Sequence, residues 1–156
     1  MQCFLIKVRV STLVATLMFA VNVPTEAQIA APTPESVIGF APCSDYKLAT
    51  YEQIETYFQE LGTVSDRMQV FEIGRTTEGR SQLMAAISPE ANLKRLDHFK
   101  TISSCLAKSK TLNADEARSL AAEGRAVVWI DFGLHSTEVA PAQTAPLLAY
   151  RAVTDE

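Results

Sequence analysis

The chain has 156 residues, enough for one domain, with 47% hydrophobic and 21% charged residues, ordinary values for a globular protein. Its formal net charge of −4, with no cluster of Lys and Arg, argues against a nucleic-acid-binding surface.

The first residues read as a targeting segment rather than as fold. Lys7 and Arg9 precede a largely apolar run from Val10 to Val23, followed by Pro24 and the small residue Ala27. That is the layout of a secretory signal peptide over residues 1–27, cleaved near Ala27, and it implies a secreted or periplasmic protein. The run is shorter than the ~20 apolar residues of a spanning helix, so no stable membrane anchor is expected. Cleavage would remove Lys7, Arg9 and Glu26 and move the formal charge from −4 to −5. It would leave Cys43 and Cys105, which are too few and too far apart for a disulfide framework. They can pair in an oxidising compartment, but two separate buried thiols are the expectation.

Residues 28–45 carry three prolines and no sustained period, which predicts an extended leader packed along the domain. Residues 46–156 form the folded unit. In "TYEQIETYFQELG", Tyr51, Ile54, Phe58 and Leu61 mark one apolar helix face, and Gly62 stands where a C-terminal cap belongs. "RMQVFEIGRTTEGRSQLMAAIS" reads as a hairpin whose turn is "GRTTEGR", with Gly74 and Gly79 free to take unusual backbone angles. Glu78 and Arg80 are placed to pair across that turn.

"ANLKRLDHFKTISSCLAKS" repeats apolar residues at Leu93, Leu96, Phe99, Ile102 and Leu106, which predicts one helix with a buried stripe. "NADEARSLAAEG" predicts a second helix, capped by Asn113 with Glu116 three residues on and ended by Gly124. "AVVWID" is a continuous apolar run, typical of a strand buried on both faces. "TEVAPAQTAPLLAYRAV" follows as a helix, with Leu147, Leu148, Tyr150 and Val153 apolar. Pro141 and Pro146 predict a first turn, a kink, and regular helix only after Pro146. The order of elements predicts an α/β fold, a mixed sheet covered by helices on both faces.

The chemistry concentrates at the end of the apolar run. His135 lies four residues past Asp131, where ligands of open α/β sheets gather, and Glu138 follows at i+3. If a helical turn begins near Ser136, both side chains can point to one side of it. Imidazole nitrogen and carboxylate oxygen both suit zinc. Gly133 lets the chain turn sharply, and Asp131 is close enough in sequence to support a ligand from behind. From the residues alone a second reading stays open. Ser136 or Thr137 can cap the helix, with Glu138 placed against its positive end.

"VVWIDFGLHSTE" resembles the zinc-binding segment of the carboxypeptidase A-like zinc metallopeptidases, in which an Asp-x-Gly-x-His-x-x-Glu pattern supplies two of three metal ligands. "FEIGRTTEGRSQLMAAIS" resembles that family's strand–turn–strand with its Ile-Gly-x-Thr/Ser-x-Glu-Gly-Arg signature, and "LATYEQIETYFQELGTVSDRMQV" its first helix and following strand. The resemblance spans about residues 46–152. It implies that His135 and Glu138 are zinc ligands, that the fold is an eight-stranded mixed sheet between helices, and that the substrate is a peptide or protein cleaved at its C-terminal bond. Zinc would activate a water and polarise the scissile carbonyl while a carboxylate takes the proton.

The resemblance also implies a third ligand, a histidine far downstream, and a general-base glutamate later still. Neither is in this sequence, so the general base is expected beyond Glu156 and no catalytic residue is assigned. The other histidine, His98, lies upstream, and its neighbours Asp97 and Lys100 set it on a solvated face. The simplest expectation is the N-terminal half of a zinc peptidase domain, inactive by itself. Relatives that act as amidases or amino-acid deacylases would keep the same hook, and a truncated paralogue that only binds peptide would keep it without turnover. Thr137 stands where digestive relatives carry arginine, Val139 replaces a common tryptophan, and the excursion from Pro89 to Arg125 is long. No oligomeric state follows from the sequence.

Overall fold

The computed structural model describes residues 30–108 and 112–155. The signal peptide expected over 1–27 lies outside the described residues. The first described segment is not extended throughout. Pro34–Ile38 form a short helix, α1, because Thr33 accepts a hydrogen bond from the Ser36 N–H and Pro34 fits the first turn. Gly39, at φ +90°, ends it, and Ile38 is buried. Through this helical turn Ile38 joins the core, with Ala31, Val37 and Phe40 packed beside it.

Helix α2 spans Tyr51–Val64. Thr50 and Gln53 form a reciprocal capping box at its start, and the Gln53 side chain also donates to the Ile38 carbonyl at 3.0 Å. Tyr57 and Leu61 are fully buried, with Ile54 and Phe58 partly buried beside them. Gly62 is not a cap, since the helix runs on to Val64. Its role is close approach: a Cβ there would lie 2.8 Å from Val70 Cγ2 on the next strand.

Strands β1 (Met68–Arg75) and β2 (Ser81–Ile87) pair antiparallel from Met68 opposite Ile87 to Arg75 opposite Ser81, with an irregularity between Glu72 and Gly74. Gly79, at φ +82°, makes the turn, and Arg80 reaches Glu78 at 3.8 Å, the expected pair. Met68, Val70, Ala85 and Ile87 face a core of Ile38, Ala49, Tyr57, Leu61, Ala149 and Val153. The alternate residues Gln69 and Phe71 face the opposite side, where the Lys100 ammonium lies 5.5 Å from the Phe71 ring centre.

On that side the predicted single helix is two: α3 (Glu90–Leu93) and α4 (Leu96–Ala107). In an unbroken helix Leu93 and Phe99 would point about 120° apart. A break at Lys94 and Arg95 lets Leu93, Phe99 and Ile102 all be buried. Helix α5 (Ala114–Glu123) has the predicted Asn113–Glu116 capping box and no buried residue. It rests on α4 through Glu123, which meets His98 at 2.7 Å and Arg95 at 3.4 Å. Cys43 and Cys105 are unpaired, as expected, but exposed rather than buried, because both fall outside the apolar stripes.

Two further expectations are corrected. Residues 126–131 join no sheet among the described residues. No neighbouring strand supplies backbone partners there, and Val127 and Val128 are 77% and 81% exposed. Helix α6 runs unbroken over Val139–Thr154 and does not wait for Pro146. Pro141, in its first turn, costs no helical hydrogen bond. Pro146 costs one, and its ring is fully buried against the domain, while Ala145, Ala149 and Val153 also turn inward. The architecture is thus mixed helix and strand, with helices on both faces of a two-stranded sheet, an incomplete α/β carboxypeptidase-like fold. No helix among the described residues is long and apolar enough to cross a membrane.

Gln143 is the one buried polar residue among those described. Its amide accepts from the Ala49 N–H at 2.7 Å and donates to the Ala49 carbonyl at 3.1 Å. Gln143→Ala strands both backbone groups, so we expect a loss of about 2–3 kcal/mol in chemical denaturation. A loss below ~0.5 kcal/mol would mean that water replaces the amide.

Tyr57 donates to the Pro32 carbonyl at 3.2 Å, and burial holds its phenol well above the ordinary tyrosine range. The folded form keeps a proton that the unfolded form loses above about pH 10, so this contribution is constant below that pH and falls above it. The melting temperature should drop more steeply between pH 10 and 11 in the wild type than in Tyr57→Phe. Parallel curves would show that the phenol is not held.

Candidate metal centre

The site begins where the apolar run ends. Gly133 takes φ +105°, a left-handed conformation that a side chain would strain, in a stretch where the chain bends at Phe132, Leu134 and His135. Residues 135–138 then close a turn in which the Glu138 N–H donates to the His135 carbonyl at 3.1 Å. Helix α6 starts only at Val139, so the turn, not a helical register, sets the pair. It brings His135 Nδ1 to 3.0 Å from Glu138 Oε2. The two side chains are 64% and 61% exposed, open to a ligand from solvent.

Neither Ser136 nor Thr137 caps α6. The cap position is Glu138, and no side chain accepts from the first turn. The Glu138 carboxylate pairs with His135, while Glu138 itself stands at the positive end of the helix, as the capping alternative also has it. Asp131 makes no hydrogen bond or ion pair among the described residues, so the support expected from it is not made. His98 is elsewhere, at 2.7 Å from Glu123 between α4 and α5, on the solvated face its neighbours predicted. Among the described residues no group of three His, Cys, Asp or Glu side chains converges as a metal site.

A zinc ion fits the donor types of the His135–Glu138 pair. Donors at ~2.0–2.2 Å in a tetrahedral site stand about 3.3 Å apart, close to the 3.0 Å seen here. The pair supplies two donors, whereas protein zinc sites use three or four.

Gln143 is the positioning residue that the sequence reading overlooked. It lies one turn into α6 and locks that helix to Ala49, the residue before the N-cap of α2. A signal for it existed: Gln143 falls in the stripe of Pro146, Ala149 and Val153, so a polar group was due on a buried face.

A profile of the zinc carboxypeptidase family matches residues 54–156, from the first turn of α2 through α6. The chain belongs to the zinc carboxypeptidase family. The match covers the hairpin and the His135–Glu138 turn, two of the three segments whose resemblance was noted above, and most of the third. No curated relative and no solved structure matches the chain.

Proposed function

We propose that His135 and Glu138 are two ligands of the zinc ion of a metallocarboxypeptidase that hydrolyses C-terminal peptide bonds. The observation that carries this reading is the 3.0 Å convergence of Nδ1 and Oε2 on an exposed turn within a zinc carboxypeptidase domain. Zinc held there supplies Lewis acidity, polarising the peptide carbonyl and activating a water. The chain's own part is to present one neutral imidazole and one carboxylate on the same side of the turn. Gly133 sets the turn, and α6 fixes its far end.

With two donors among the described residues, zinc binding by this chain is weak. A peptide or protein is the substrate class of the complete site. The protein is exported, on the support of the basic start, the apolar run and Ala27. Mass spectrometry of the protein recovered from its native host should show residues 1–27 removed, and an intact N-terminus would refute export by this signal.

Zinc titration by calorimetry tests the hook. The chain should bind zinc in the micromolar range or weaker, and His135→Ala or Glu138→Ala should each weaken binding by about tenfold or more. Both side chains are exposed, so neither change should cost more than about 0.5 kcal/mol of stability. Undiminished zinc binding by both variants would reject the assignment. The zinc-loaded chain should release no C-terminal residue from a blocked dipeptide. Turnover that requires His135 would instead show that a base is present.

A further inference from the structure

Glu138 owes its place to helix α6, and one contact decides how the start of that helix sits. From Glu138 onward Gln143 is the first buried side chain, with residues 139 and 140 exposed and residues 141 and 142 half-buried. It lies five residues, about 7.5 Å of helix, beyond Glu138. Its amide holds Ala49 at two points, accepting from the N–H at 2.7 Å and donating to the carbonyl at 3.1 Å. The buried side chains that follow, Ala145, Pro146, Ala149 and Val153, carry no polar group, and their burial has no preferred direction. Apolar packing alone lets a helix turn or slide by a fraction of a residue. A two-point amide contact resists both, because hydrogen bonds depend on distance and angle. Ala49 is itself held. It precedes Thr50, which caps α2 in a box with Gln53, and the Gln53 amide donates to the Ile38 carbonyl at 3.0 Å.

We infer that Gln143 is a positioning residue of the metal centre: through the first turn of α6 it holds the Glu138 carboxylate where His135 meets it, and so raises the affinity for zinc. The inference rests on the zinc reading of the His135–Glu138 pair. The Gln143 amide is committed to Ala49, so the residue acts through Glu138 and not as a ligand. A donor pair ordered in advance loses less freedom when metal binds. Linkage makes the effect mutual, so zinc on the pair also tightens the Gln143–Ala49 contact.

The test uses the whole chain, with zinc alone as the probe and NMR as the readout. Shifts of the His135 ring signals follow binding even where affinity is low. Gln143→Met keeps the reach of the side chain and removes both bonds, and it should weaken zinc binding about threefold to tenfold. Val153→Ala loosens the far end of the same helix and leaves the amide contact in place, so it should change zinc affinity by less than about twofold. In a Glu138→Ala chain, Gln143→Met should have no further effect on zinc, because the group it positions is gone. In the unmutated chain, zinc should slow hydrogen exchange of the Ala49 amide more than that of the amides of β1 and β2. That last readout holds whether or not Gln143→Met folds.

Equal losses of affinity in Gln143→Met and Val153→Ala would overturn the inference, as would an equal loss with and without Glu138, or an Ala49 amide indifferent to zinc. Zinc binding undiminished by both His135→Ala and Glu138→Ala is a different result and rejects the zinc reading itself. The metal-free chain then decides the positioning. Backbone amide order parameters at Glu138 and Val139 should fall in Gln143→Met and hold in Val153→Ala, and unchanged values in Gln143→Met would refute it.

Discussion

The described fold depends on one pair of hydrogen bonds. Gln143 and Ala49 are 94 positions apart in the chain, and their amide and backbone groups satisfy each other in a buried position. A buried amide left unmatched is costly, so the pair acts as a register pin. It fixes how far along α2 the helix α6 can sit. Tyr57 and Leu61 then close against Ala149 and Val153, and the small side chains of Ala145 and Ala149 let the two helices come near. At the other end of α6, Arg67 donates to the Asp155 carbonyl at 2.8 Å and satisfies one of the helix's free acceptors. A helix held at both ends gives the turn before it a defined endpoint. That turn is the hook.

The hook therefore has unequal supports. Glu138 stands directly before α6 and takes its position from the pinned helix. His135 stands three residues earlier, on a chain that has just bent near Gly133 and whose upstream residues pair with no strand among those described. The carboxylate is the better anchored donor, and the imidazole is brought to it by the turn hydrogen bond between their backbones. In zinc sites the groups behind the ligands usually orient them. At the two proposed ligands such support comes from backbone geometry, since Asp131 makes no hydrogen bond or ion pair among the described residues.

Local chemistry made much of this legible in the sequence. The Asn113–Glu116 box, the hairpin with its Gly79 turn, and the apolar face of α2 all follow from residues near each other in the chain, and all are seen. The readings that failed depended on distant partners. Gly62 looked like a cap because it followed an apolar face, but the space it vacates belongs to Val70. Pro146 looked like a helix breaker, yet burial of its ring against the domain offsets the single hydrogen bond it forgoes. The stripe from Leu93 to Leu106 was read as one helix because spacings of three pass for helical periodicity, although they drift around the axis and a break corrects them. The pairing of His135 with Glu138 was legible as a residue pattern, while its geometry was not. The i+3 spacing pointed to a helical turn, and the structure uses a turn ahead of the helix.

The segment at 126–131 is where sequence and structure disagree most, and the disagreement is physical. Its composition fits a strand buried on both faces, but burial in a sheet is not a property a segment has alone. It needs neighbours to take the backbone hydrogen bonds and to cover the side chains. Without them, four large apolar residues in a row face water at a cost that favours any partner with a matching edge. The same segment leads directly into Gly133 and His135. Ordering it, by whatever strand it pairs with, would steady the less anchored of the two donors.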